Sequence, residues 1–103
     1  MDGTSVTLAS EARVPTSVPQ RYLAQLCKHF QHKLPVVLEE GRGRIEFPLG
    51  RCELDAMVAE TLLLRVLAGD EAALAQLEDV VGRHLERFAF REKPEIRWTR
   101  TAA

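Results

Sequence analysis

Between Val36 and Ala68 the chain reads as a succession of short alternating segments joined by only a few residues. Val36 to Glu39 leads into Glu40-Gly41-Arg42-Gly43, whose glycines permit a tight turn. Ile45, Phe47 and Leu49 then alternate with Arg44 and Glu46, and Pro48-Leu49-Gly50 marks the next reversal. Cys52, Leu54, Ala56 and Val58 alternate with Arg51, Glu53, Asp55 and Met57, and the pattern demands a turn at Ala59-Glu60. Leu62, Leu64, Val66 and Ala68 make the apolar face of the segment that follows. Strands joined so tightly can only be antiparallel neighbours, because a parallel return needs a crossover of about a dozen residues. One face of this sheet is a checkerboard of Arg, Glu and Asp, interrupted by Leu63, Leu67 and Val37, and is expected to meet solvent.

The other face needs a cover, and two amphipathic segments supply it. Asp70 to Phe90 reads as a long helix with Leu74, Leu77, Val81, Leu85 and Phe88 in one stripe. Asp70 is its expected N-cap, Glu71 sits beside the positive end of the macrodipole, and Arg83, Arg87 and Arg91 gather near the negative end. An earlier helix begins at Pro19, with Ser17 or Val18 at the cap, and is closed by Pro35. Tyr22, Leu23, Leu26, Cys27 and Phe30 form its apolar face. Val6, Leu8, Ser10, Ala12 and Val14 alternate as a first strand ended by Pro15, and Pro94 opens a last strand with Ile96 and Trp98 on one side. The order β-α-β-β-β-β-α-β predicts an α+β fold: a mainly antiparallel sheet of five or six strands with both helices on one face, like half of a TATA-binding-protein-like saddle. Residues 1–103 form one domain, with loose ends expected at 1–4 and 101–103.

A hydrophobic fraction of 46% with 28% charged residues is that of an ordinary soluble domain. A formal net charge of −1 gives no field toward nucleic acid or anionic membrane. Apolar runs are too short to span a bilayer and no signal layout opens the chain, so the cytoplasm is the expected location. Cys27 and Cys52 give no disulfide framework.

The candidate functional residues fall into two groups. His84 lies on the stripe of the long helix, three residues after Val81 and four before Phe88, and is expected to face the core. An imidazole there is favoured neutral by desolvation and needs a hydrogen-bond partner. With Cys27 and Cys52 also on inner faces, the three side chains project into one layer and constitute a candidate soft-metal set, against the plainer expectation of core packing. Arg42, Arg44 and Arg51 with the turn glycines form a candidate ligand-binding group, able to hold an anion through guanidinium forks. His29 and His32, flanked by Lys28 and Lys33, read as a solvated basic helix face. No Walker loop, dinucleotide fingerprint, nucleophile elbow or metalloprotease motif is present, so no cofactor and no catalytic residue is assigned. Nor do exposed aromatics interleave with basic residues as nucleic-acid binding would want.

Three blocks, YLAQLCKHFQHK, GRGRIEFPLGRCELDA and VVGRHLERFAFRE, followed by the tryptophan segment, resemble the bacterial family filed as domain of unknown function 2218, from about Val14 to Arg100. That family has no established activity, and some members resemble a segment appended to siderophore-interacting flavin reductases. The resemblance therefore implies an accessory or binding module connected to siderophore-iron metabolism, with an unknown small molecule or protein as partner. Two other expectations follow from the residues. One is an oligomeric scaffold or homodimer pairing sheet faces through Leu63 and Leu67, or pairing edges. The other is a small-molecule or redox enzyme using His84 with Cys27 or Cys52.

Overall fold

A computed structural model describes residues 7–102. Its elements are β1 (Leu8–Pro15), α1 (Pro19–Phe30), β2 (Val36–Glu39), β3 (Arg42–Phe47), β4 (Gly50–Asp55), β5 (Thr61–Ala68), α2 (Glu71–Phe88) and β6 (Thr99–Ala102). The strands form a six-stranded sheet in the order β2-β3-β4-β5-β1-β6, and every neighbouring pair is antiparallel. α1 and α2 touch each other and lie on the same face of the sheet. The expected α+β class and element order are those observed.

Register follows from the period of two. Pairing Val14 with Leu62 and Ala12 with Leu64 puts the inner residues of β1 and β5 side by side, and all four are buried. A slip of one residue would turn them to water, so this register is strongly specified. α2 buries Leu74, Leu77, Val81 and Leu85 against the sheet, and α1 buries Tyr22, Leu23, Leu26 and Cys27. Each fully buried leucine contributes roughly 1.5–3 kcal/mol, more than any helix propensity difference along these segments, so packing holds the helices. Asp70 caps α2 as expected, accepting the Ala73 amide at 2.8 Å.

Several boundaries differ from the pattern reading. Val6 lies outside the described residues, as do 1–4. The β2–β3 reversal takes only Glu40 and Gly41, with Gly41 at φ 78°, and β3 already begins at Arg42. Gly43 is therefore a strand residue: a β-carbon built on it would stand 2.5 Å from Cys27 Sγ. Leu49 belongs to the β3–β4 turn and is exposed. β4 stops at Asp55, where the side chain accepts the Met57 amide at 2.7 Å and so competes with the ladder. Ala56 turns in, donating its amide to Gly41 O at 2.8 Å, while Met57 and Val58 are each 60% exposed. α1 ends at Phe30, short of Pro35, and carries no side-chain cap. Residues 94–98 are not in the ladder, although Ile96 and Trp98 pack on the core. β6 forms later, and Thr101 and Ala102, expected to fray, pair with Ala9 and Leu8.

Candidate functional site

The outer face of the sheet carries the arginines singled out above. Alternation in β3, β4, β5 and β1 sends every second side chain outward, and the register sets them in rungs. The central rung runs Val37, Arg44, Glu53, Arg65, Glu11, Thr99 across the six strands. Arg65 meets Glu11 at 3.3 Å and Glu53 at 3.5 Å. Arg42 meets Asp55 at 3.3 Å, and Glu46 receives both Arg44 and Arg51 at 3.1 Å. Arg65 Nε is buried and lacks an aligned hydrogen bond, so its contact with Glu11 is an ion pair only.

A hollow of about 320 Å³ lies on this face, lined by charged residues from β2 to β5 together with Val37 and Leu63. Arg42 and Arg44 belong to it. Arg51 does not; it occupies the next rung, bridging Glu46 and Glu53. Glu39 and Glu53, which the sequence puts near these arginines, belong as well, as do Asp55 and Arg65, which were missed from the sequence. The signal was available in the alternation of β5, where Arg65 sits between Leu63 and Leu67, but only the register brings it beside Glu53.

His84 is a correction. It does not enter the core layer with the cysteines but is half-buried at the contact between the two helices. Its ring lies 4.8 Å from that of His29 and 4.9 Å from that of Phe30, between centroids. Nδ1 donates to Val80 O of its own helix at 2.7 Å. Val81 and Leu85 take the sheet-facing positions, which leaves the position between them to look sideways at α1. His29, read as solvated, is exposed but takes part in this aromatic contact, 5.6 Å from Phe88 as well. Desolvation lowers its pKa, reinforced by the charge of His84, Arg87, His32 and Lys33.

Cys27 and Cys52 are free and buried in the layer between the sheet and the helices, as expected. Burial pushes the Cys27 thiol up to about 11. Cys52 is raised further, by burial first and then by Cys27 and Glu53. Both remain protonated at neutral pH, where neither is a nucleophile or a ready ligand. Among the described residues no group of three or more His, Cys, Asp or Glu side chains converges as metal ligands would, so Cys27, Cys52 and His84 are not one constellation. Nor is any described helix long and apolar enough to cross a membrane.

A six-stranded antiparallel sheet backed on one face by two helices, with a mixed-charge outer face, defines a small two-layer α+β domain. The chain belongs to the bacterial family described as an uncharacterised protein conserved in bacteria, domain of unknown function 2218, whose profile matches residues 11–99. It is similar to PA4090 from Pseudomonas aeruginosa, known from an NMR structure, at 39% identity and a TM-score of 0.76 over 89% of this chain and 95% of that one. No curated protein matches the chain.

Proposed function

We propose that this domain is a non-catalytic binding module that receives a mixed-charge peptide segment of a partner protein on the outer face of its sheet. The observation that carries the reading is the hollow lined by Arg42, Arg44 and Arg65 facing Glu39, Glu53 and Asp55, with Val37 and Leu63 as apolar floor. A ligand of one sign would be repelled by half of this lining, whereas one carrying both signs can pair throughout. Ion pairs as open to solvent as Arg42–Asp55 contribute only about 0–1 kcal/mol each, so exchanging such a pair for one with a ligand costs little. Enzymatic use of His84 with Cys27 or Cys52 gains no support, since the imidazole packs on His29 and both thiols are held protonated.

A short alternating Lys-Glu peptide, added to ¹⁵N-labelled protein, is expected to shift the Arg42, Arg44 and Arg65 signals. Arg65→Met should abolish the response. Equal responses to all-Lys and all-Glu peptides, or none to any, would remove the reading. The connection to siderophore-linked iron metabolism rests on the family resemblance. A rise in melting temperature with ferric siderophores would support it, and no rise at saturation would dismiss it. The same reading keeps the module in the cytoplasm, where unpaired thiols stay reduced.

A second reading, the homodimer, is favoured by one property of the central rung. Its charges reverse sign about the line between β4 and β5, with Arg44 and Glu53 on one side and Arg65 and Glu11 on the other. A two-fold axis along that line would lay Glu53 over Arg65 and Arg44 over Glu11 of a second copy. Light scattering at high concentration decides it: a clean monomer eliminates this arrangement.

A further inference from the structure

Away from the sheet's outer face, a second hollow of about 420 Å³ opens where the first turns of α1 meet the residues following α2. Arg21, Tyr22 and Gln25 line it from α1, and Phe88, Phe90 and Arg91 from the other side. Its chemistry is unlike that of the charged face. Phe90 is 63% exposed, and the Arg91 guanidinium stacks over its ring at 5.6 Å. Among the described residues no carboxylate lies in ion-pair range of Arg21 or Arg91. The nearby carboxylate, Glu92, is already occupied: it accepts Thr16 Oγ1 at 2.6 Å and the Ser17 amide and hydroxyl at 3.3 Å each. Its carboxylate is thus turned to the start of α1 and pairs with neither guanidinium, leaving both available.

We propose that this hollow binds a small aryl carboxylate. The exposed Phe90, with Phe88 beside it in the lining, supplies aromatic surface against which a flat ring can pack. Arg21 and Arg91 present forks for the carboxylate, and the Gln25 amide supplies both a donor and an acceptor at the rim. Arg91 is held by its own stacking on Phe90, so less side-chain freedom is lost when the anion arrives. A bare inorganic anion would use only the arginines, and an uncharged aromatic only the phenylalanines. The site rewards a ligand with both features.

Benzoate titrated into ¹⁵N-labelled protein tests this, with cyclohexanecarboxylate, benzamide and inorganic phosphate as comparison probes. A benzoate dissociation constant in the millimolar range suits so small a probe. The expected shifts centre on the amides of Gln25, Phe90 and Arg91 and on the Nε–H groups of Arg21 and Arg91. The comparison probes should bind about tenfold more weakly or not at all, each lacking one contact. Phe90→Ala and Arg91→Gln, both at exposed positions, should each weaken benzoate about tenfold, and Arg65→Gln on the opposite face should leave it unchanged. Phosphate or cyclohexanecarboxylate binding as tightly as benzoate would overturn the aryl requirement. Shifts elsewhere on the surface, or none at saturating benzoate, would overturn the site.

Discussion

Gly43 shows how closely one residue can tie the two layers together. A β-carbon there would meet Cys27 Sγ at 2.5 Å and Leu23 Cδ2 at 3.5 Å, so α1 rests directly on the backbone of β3. Gly43→Ala is expected to destabilise the fold by about 1–3 kcal/mol, the usual range for overpacking. Because the clash is with one sulfur, Cys27→Ala in the same chain should recover part of that loss. Urea unfolding of the two single variants and the double variant measures the coupling. Glu92 makes a different kind of tie. The Thr16 hydroxyl first, then Tyr22 and the Ser17 amide, hold its carboxyl below the usual glutamate range. A depressed carboxyl contributes stability above its unfolded pKa, about 4.3, and loses it as pH falls through the folded value. Glu92→Gln should therefore lower stability at neutral pH and flatten the acid limb of a pH series of denaturation curves. An unchanged acid limb would show that the clasp contributes nothing. Glu78 adds to that limb independently: burial opposes its charge, but hydrogen bonds led by Arg100 outweigh the penalty and lower its pKa.

Among the elements, α2 was the most legible. Its apolar stripe set the buried face and Asp70 announced its start. Asp70→Ala should cost about 1 kcal/mol and speed exchange of the Ala73 amide, which loses its acceptor; equal stability and protection would show the cap to be idle. The inner faces of β1 and β5 were legible for the same reason, since period-two alternation with one apolar side leaves a single register. What stayed hidden was decided by contacts between segments distant in the chain. Met57 and Val58 continue the alternation of β4, yet Asp55 diverts the backbone to its own side chain before they can pair. Thr99–Ala102 carry no strand pattern and are drawn into the sheet by the open edge of β1. His84 fits the stripe by spacing alone, and only the position of α1 determines that it meets His29. The arginines of β3 were readable as a group, but their partner Arg65 required knowledge of which rungs align.

At the scale of the whole molecule, the sheet is completed by strands far apart in sequence. β1 lies between β5 and β6, so neither of its ladders forms until most of the chain is available. Such non-local pairing predicts folding in milliseconds to seconds. Trp98, the single tryptophan, packs beside Gly82 of α2 and reports the docking of the last segment. Stopped-flow fluorescence should show its signal settling in that window, and a microsecond relaxation would contradict it. The pairing of β1 with β6 has a further consequence. Leu8 stands opposite Ala102, and residues opposed across an antiparallel ladder lie about 5 Å apart. A short linker could join them, and new ends could be opened at the exposed Pro48-Leu49 turn, giving a circular permutant with every ladder intact. By the same geometry, the domain can be spliced into a surface loop of a host protein without prying that loop apart.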